Sequence, residues 1–208
     1  MSTDLLALAR GLADRAQPGE QVEVTIGEGR RTTVRVHGGE AESFTSATSH
    51  GVGVRVIRDH REGFAHAGSI EPDVLDETLA DARDNATFAT PDEHVGLVEP
   101  DGIEAFDIDH WRDEVLAYAD TDKIARAIEL ERRIMAGDPR MRTVRTTVWS
   151  DSASRFALAS STGLALDTRG TSCSISAGAI AGEGDDTATG SGADAARAPA
   201  DLDDDQVV

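Results

Sequence analysis

The sequence has few aromatic residues, one cysteine and no long apolar run. Aromatic side chains make up 4% of the 208 residues, so the core must be built mainly from Val, Leu, Ile and Ala. The single cysteine, Cys173, excludes an intrachain disulfide, which fits a reducing compartment. No apolar stretch reaches the roughly 20 residues of a membrane-spanning helix, and no signal-peptide pattern opens the chain. We therefore expect a cytoplasmic protein.

Positive charge is also scarce. Asp and Glu total 39 against 20 Lys and Arg, which gives a formal net charge of −19, and Lys123 is the only lysine. A field this negative repels phosphate backbones and anionic lipids, which argues against nucleic acid and membrane as partners. Two explanations of the acidic excess stay open, namely binding to a basic partner and adaptation to high salt. Because the acidic residues are spread along the whole chain, we favour salt adaptation and a halophilic source.

The first half predicts a helix, antiparallel strands and a second helix. Leu5, Leu8 and Leu12 recur at helical spacing before the stop at Pro18-Gly19. Alternation then predicts short strands at 22–26, 33–36, 40–49, 52–56 and 62–67, with turns at 27–29, 37–39 and 59–60. The second helix is predicted over 75–86.

The second half repeats the order of helix then strands. A Pro-, Gly- and acid-rich linker is predicted at 90–106, followed by helices at 111–118 and from Thr121 to Gly137. Further strands are predicted at 143–149, 155–160, 164–167 and 172–180. The predicted fold class is α+β, with two consecutive helix-plus-antiparallel-sheet units that are mostly β-meander with flanking helices. The predicted domains are 1–89 and 107–200.

The acidic end of the chain, 201–208, predicts the start of a further helix. Carboxylates between 201 and 205 would lie at the positive end of its dipole, and a frayed acidic tail is the alternative. The sequence is therefore expected to be the front part of a larger protein, which a reading frame continuing past Val208 would show.

No residues complete a catalytic or metal site in the sequence. None of the histidines (His37, His50, His60, His66, His94 and His110) forms a pair with helical zinc-motif spacing. His60 and His66 flank a predicted hairpin, where exposed turn histidines are favoured over a metal site. Cys173 alternates with Ile175 and Ala177 and is expected to be buried. We therefore assign no catalytic, cofactor-binding or metal-ligating residue.

The remaining candidate binding site is the backbone of a strand edge rather than a set of side chains. The Ser-, Gly- and Ala-rich strand at 171–181 has small side chains, and an exposed edge there could accept an extended peptide as an added strand. Coverage of that edge by another part of the protein is the favoured alternative.

Several segments resemble the TldD/PmbA (TldE) metallopeptidase family. In the first half they are 32–44 (TTVRVHGGEAESF), 51–57 (GVGVRVI) and 61–65 (REGFA). In the second half they are 127–131 (AIELE), 138–140 (DPR), 160–163 (SSTG) and 201–203 (DLD). They resemble the family's N-terminal and middle regions, and the middle region is closer to the PmbA type.

The resemblance implies a peptidase system that cuts unfolded peptides. A TldD-type subunit with a His-Glu-x-x-x-His zinc motif in its later part pairs with a PmbA-type subunit that generally lacks the motif. This sequence has no such motif, so zinc is expected in the partner subunit or the full-length assembly. The implied role is a non-catalytic portion that contributes to the substrate cavity and the subunit interface. The alternative is a stand-alone, non-enzymatic peptide- or protein-binding module, and an independent enzyme is disfavoured.

Overall fold

The computed structural model describes residues 3–103 and 108–208, and this part of the chain forms an antiparallel sheet with flanking helices. The helices are α1 (Leu5–Ala13), α2 (Pro72–Phe88), α3 (Asp113–Ala117) and α4 (Asp120–Gly137). The strands are β1 (Glu20–His37), β2 (Glu40–Arg58), β3 (Arg61–Ala67), β4 (Met141–Ser160), β5 (Ala165–Ala181) and β6 (Ala188–Ala196). They form one sheet in the order β3-β2-β1-β4-β5-β6, and the predicted α+β class is confirmed. No helix in the described residues is long and apolar enough to cross a membrane.

Four strands are longer than the sequence pattern predicts. β1 runs straight through the predicted turn at 27–29, and the predicted strands at 40–49 and 52–56 are one strand, β2. β4 and β5 each join two predicted strands in the same way. The turn prediction at 27–29 is wrong because neither Gly27 nor Gly29 adopts the left-handed backbone conformation. The turn at 59–60 is confirmed, with positive φ angles of 51° at Asp59 and 59° at His60.

The chain divides into two units that interleave along the sequence. Unit 1 comprises Met1–Gly29, Ser49–Ile108 and Ser154–Arg169, and unit 2 comprises Arg30–Thr48, Asp109–Ala153 and Gly170–Val208. This division differs from the consecutive domains predicted at 1–89 and 107–200, because β1, β2, β4 and β5 each contribute residues to both units. Residues 104–106 of the predicted linker and residue 107 lie outside the described residues.

Unit 1 has an apolar core between its strands and two helices. α1 begins after Asp4, whose Oδ1 accepts a hydrogen bond from the Ala7 N–H at 2.9 Å. Alternate residues of the strands are buried against Leu5, Leu12, Leu75 and Leu79 of the helices; they are Val22, Val24, Ile26, Val52, Val54 and Val56. The helix predicted at 75–86 is confirmed as part of α2.

Unit 2 has a core under α4. Leu130 and Ile134 of the helix pack in one cluster with inward-facing strand residues, which are Val34, Val36, Val144, Trp149, Cys173 and Ile175. Instead of the predicted helix start, the end of the chain forms 3₁₀ turns at Pro199–Asp201 and Asp204–Gln206. Leu202 and Val207 are buried in the α4 cluster, which explains why this segment follows the core surface rather than continuing as a helix.

Candidate functional site

A shallow groove lies on the face of the unit 1 sheet opposite its helices. Because side chains alternate across a strand, the neighbours of the buried Val and Ile residues point to this other face. The groove encloses about 640 Å³, and four glycines of β1 and β2 line it, namely Gly27, Gly29, Gly51 and Gly53. We call this depression the glycine groove. Glycines on two neighbouring strands leave the backbone open to a close approach by a ligand.

Aromatic side chains border the glycine groove. Phe156 of β4 and His66 of β3 line it, and Phe156 is 39% exposed. Phe64 is 54% exposed, and its ring stacks on that of His66 with 6.0 Å between centroids. Exposed rings beside strand backbone are suited to contact the apolar side chains of an extended chain.

Three of these glycines, Gly27, Gly51 and Gly53, differ in how much space a side chain would have. A Cβ added at Gly53 would lie 2.9 Å from Thr25 Oγ1 and 3.3 Å from Phe64 Cζ, and one added at Gly51 would lie 2.9 Å from the Ala67 carbonyl oxygen. A Cβ added at Gly27 would make only ordinary contacts, 3.8 Å from the Arg155 carbonyl oxygen and 3.9 Å from Phe156 Cδ2. Gly27 is therefore the position at which the groove can be filled without displacing its backbone.

The unit 2 sheet carries a different surface, which we call the basic face. Arg31 and Arg35 of β1 and Arg145 of β4 are exposed, next to buried residues that point to α4. Neither 30–37 nor 141–150 contains an acidic residue, although the chain's net charge is −19. No ion pair between described residues involves these three arginines. The basic face can therefore offer its charge to an acidic surface.

A buried charge pair lies inside unit 2. Lys123 is 1% exposed, and its Nζ lies 3.0 Å from Asp151 Oδ2 and 3.0 Å from Asp120 Oδ1. The Trp149 Nε1–H donates to the same Asp151 oxygen at 2.8 Å, and the Tyr118 ring stacks on Trp149 with 5.2 Å between centroids. Such a buried hydrogen-bonded network holds its side chains in place. Two sequence signals point to it: Lys123 is the only lysine, and Asp151 follows the inward-facing Trp149 by two residues.

Cys173 is buried beside Ile175 and Ala177, as predicted. Burial raises the pKa of its thiol to about 11, and its Sγ–H donates to the Ala196 carbonyl oxygen at 3.6 Å. The thiol therefore stays protonated and out of contact with solvent, which is the behaviour of a structural cysteine.

The described histidines and carboxylates do not come together as metal ligands. His60 lies in the turn between β2 and β3, whereas His66 pairs with Gly53 further along the ladder. In residues 3–103 and 108–208, no group of three or more His, Cys, Asp or Glu side chains could hold a metal ion. These side chains thus do not fit the zinc that the family resemblance implies.

The predicted peptide-accepting edge at 171–181 is not an edge. β5 lies between β4 and β6, and β6 pairs with it antiparallel from Cys173↔Ala196 to Ala181↔Ala188. The edge is thus covered, as the favoured alternative expects, and the covering strand at 188–196 is one that the sequence pattern does not reveal. Its Ala, Gly and Ser residues lack the apolar–polar alternation that marks a strand.

Two models of one family match the chain. Residues 22–86 match the PmbA/TldA metallopeptidase domain 1, and residues 113–207 match the PmbA/TldA metallopeptidase central domain. An uncharacterized protein of Methanocaldococcus jannaschii is 31% identical over 96 residues, which are 44% of this chain and 22% of that protein.

Solved structures share the fold at low identity. A putative modulator of DNA gyrase from Bacteroides thetaiotaomicron is 19% identical with a TM-score of 0.87, covering 100% of this chain and 48% of that one. A putative modulator of a DNA gyrase from Thermotoga maritima is 21% identical with a TM-score of 0.80, covering 98% and 44%. TldE from Thermococcus kodakarensis is 20% identical with a TM-score of 0.81, covering 90% and 42%. The chain thus spans less than half the length of each.

Proposed function

Because the chain belongs to the PmbA/TldD metallopeptidase family, we propose that it is a non-catalytic part of a peptidase subunit that lines a cavity for unfolded peptides. The glycine groove is the observation that carries this proposal. Strand backbone forms its floor, and Phe156, His66 and the ion-paired Arg155 and Glu28 line it. The Phe64 ring stacks on that of His66.

The shape of the groove favours an extended chain over a folded ligand. Sheets that pack face to face lie about 10 Å apart because their side chains fill the space between them, and glycines remove that filling. An extended peptide can therefore approach the β1 backbone at Gly27, where an added Cβ would make only ordinary contacts. Its apolar side chains would contact the exposed Phe64 and Phe156 rings. Such contacts select apolar character rather than one sequence, which suits unfolded peptides.

The hydrolytic step is assigned to other parts of the assembly. Zinc held there, by residues outside those described, would supply the Lewis-acid chemistry for hydrolysis of the peptide bond. The described side chains contribute by holding the peptide, and Phe64, His66 and Phe156 would fix its position. The PmbA type, a cytoplasmic location and a halophilic source are part of the same proposal.

We assign the contact with a partner subunit of the TldD or PmbA type to the basic face. No ion pair between described residues involves its Arg31, Arg35 and Arg145, so they would favour an acidic surface on a partner from the same high-salt cell. Charge reversal by Arg35→Glu and Arg145→Glu is expected to weaken co-purification with the partner subunit at low salt. Arg10→Glu, on α1, is the control. If it reduces co-purification as much as the basic-face substitutions do, the assignment is contradicted.

The proposed function is tested by a substitution that fills the groove with a side chain. Gly27→Val adds a side chain beside Phe156 and suits a strand, whereas Gly178→Val, where no heavy atom lies within 4 Å of the added Cβ, is the matched control on β5. A fluorescent, unstructured peptide rich in Leu and Phe is titrated with each protein. We expect Gly27→Val to weaken binding by about tenfold, equivalent to about 1.4 kcal/mol, and Gly178→Val to bind as the unchanged chain does.

The same variants distinguish the peptidase-subunit role from the stand-alone binding module. With the TldD-type subunit added, the family role predicts that Gly27→Val lowers cleavage of the peptide in parallel with binding. Binding that falls while cleavage stays unchanged would favour the stand-alone binding module. Unchanged binding by Gly27→Val would contradict both readings of the groove.

A further inference from the structure

Three charged side chains continue the sheet face on which the glycine groove lies. Glu23 of β1, Arg55 of β2 and Glu62 of β3 alternate along their strands with residues that face the helices of unit 1. Because side chains alternate across a strand, all three point to the face that carries the groove. Arg55 follows the groove-lining Gly53 by two positions, so the three charged residues directly border the groove.

The charges in and beside the groove do not cancel. Arg155 Nη1 lies 2.9 Å from Glu28 Oε1 in the groove, and Arg55 Nη2 lies 3.0 Å from Glu23 Oε1 beside it. Each of these ion pairs is neutral as a whole. Glu62 shares Arg55 with Glu23, and the distance from Arg55 Nη1 to Glu62 Oε2 is 3.7 Å, which is beyond ordinary hydrogen-bond distance. These five side chains therefore carry one net negative charge, located at Glu62.

Glu62 is also the more accessible of the two carboxylates that flank Arg55. Its side chain is 41% exposed, whereas that of Glu23 is 15% exposed. Phe64 lies two positions further along β3 on the same face and is 54% exposed. Two residues of a strand span about 6.6 Å, so an apolar ring and an acidic side chain lie one same-side repeat apart. Successive same-side residues of an extended peptide have the same spacing.

We propose that Glu62 binds a positively charged side chain of the peptide, two residues from an apolar side chain that contacts Phe64. The inference rests on the proposed function of the glycine groove and names its substrate class, which is an extended peptide with Lys or Arg at this spacing from an apolar residue. Complementary charges across an interface fix the register of the partner and disfavour partners of the wrong charge. Glu62 would thus set the position of the peptide along the groove and repel an acidic side chain at the same place.

Peptides that differ in one residue test the charge of the ligand. Each is acetylated, amidated and fluorescent, has a central Leu-Phe pair, and carries either Arg or its uncharged isostere citrulline two residues from that pair. The changed residue precedes the pair in one set and follows it in the other, which covers both chain directions. At about pH 8, where histidine is ordinarily neutral, we expect the Arg peptide of one set to bind about threefold more tightly than its citrulline counterpart. A gain that appears only when a citrulline peptide has a free amino terminus would overturn the assignment to a side chain.

Glu62→Gln removes the charge and keeps the shape of the side chain. We expect it to abolish the preference for Arg and to leave binding of the citrulline peptides unchanged. Glu77→Gln, at an exposed position of α2, is the matched control and should keep the preference.

The outcomes separate this inference from the proposed function. An equal preference for Arg in both variants, or none in the unchanged chain, would overturn the role of Glu62. If Gly27→Val still weakens binding of every peptide in that case, the groove binds apolar chains without regard to charge, and the proposed function stands. Peptides that fail to bind, or that bind Gly27→Val as well as the unchanged chain, would contradict the proposed function and this inference with it.

Discussion

Unit 1 and unit 2 share four long strands but are stabilised by different interactions. In unit 1 two helices cover an apolar sheet face, and α2 approaches β3 so closely that a Cβ at Gly63 would clash with the backbone of Ala82 and Ala86. In unit 2 the core includes the buried pair of Lys123 and Asp151. Unit 1 is therefore stabilised mainly by close packing. The stability of unit 2 also requires that its buried charges remain paired.

Polar contacts also hold the last segment of unit 2 against α4, which is a further difference from unit 1. Arg126 of α4 donates hydrogen bonds to the carbonyl oxygens of Pro199 at 2.6 Å and Leu202 at 2.9 Å, and it forms an ion pair with Asp204 at 2.7 Å. Its guanidinium also lies 5.7 Å from the centroid of the Trp149 ring. A single arginine thus fastens the last segment of unit 2 onto its helix. The unit's stability therefore depends on polar contacts between distant parts of the sequence.

The largest expected effect comes from breaking the buried charge pair of unit 2. Lys123→Met leaves Asp151 buried without its cation, and we expect a loss of about 3–5 kcal/mol in the free energy of unfolding. Urea denaturation followed by circular dichroism measures the change. The double variant Lys123→Met, Asp151→Leu removes both charges and should recover part of the loss. A double variant less stable than Lys123→Met would contradict the role given to the unpaired carboxylate.

Adding a methyl group to the tight contact of unit 1 should have a somewhat smaller effect. Gly63→Ala forces α2 away from β3, and we expect a loss of about 3 kcal/mol in the free energy of unfolding. Gly68→Ala is the control, because no heavy atom lies within 4 Å of a Cβ added there. Similar stability of both variants in thermal denaturation would show that α2 and β3 do not approach as described.

The smallest expected effect concerns an ion pair at the edge of the unit 1 core. Arg83 Nη2 lies 2.8 Å from Glu20 Oε2. Burial acts to raise the pKa of Glu20, but the hydrogen bonds from Arg83 and the Gln17 N–H, with nearby positive charge, outweigh it and lower this pKa. The stabilisation is therefore present above the unfolded-state pKa of about 4 and is lost as the pH falls through the lower folded-state pKa.

Arg83→Met tests whether this stabilisation is lost, rather than gained, as the pH falls. We expect it to lower the free energy of unfolding by about 1 kcal/mol at pH 7, with the difference shrinking in acid as Glu20 becomes protonated. Arg10→Met, which removes a charge of α1 without a described ion pair, should show no such pH dependence. A difference that grows on acidification would contradict the assignment.

Periodicity predicted unit 1 well because its signals are local. The spacing of Leu75, Leu79, Ala82 and Ala86 identified α2, and the Asp59-His60 turn closed the predicted hairpin. The strand lengths were not predictable in the same way. Gly27-Glu28-Gly29 has the composition of a turn, and only its pairing within the sheet shows that it continues β1.

The candidate site depends on register, which the sequence pattern does not specify. Gly27 and Gly29 lie far along the chain from Gly51 and Gly53, and only the pairing of β1 with β2 brings them to one groove. Lys123 was missed because a lysine within an amphipathic helix is ordinarily solvent-exposed. Its buried partner Asp151 comes from a different element, β4.

Photocrosslinking of a bound peptide tests the central proposal most directly. An unstructured, Leu-rich peptide with a diazirine side chain is irradiated with the chain, and mass spectrometry locates the labelled residues. The expected result is labelling concentrated on Phe64, His66 and Phe156, competed by unlabelled peptide and reduced in Gly27→Val. Labelling spread evenly over the surface, or concentrated in unit 2 and unaffected by Gly27→Val, would contradict the glycine groove as the peptide site.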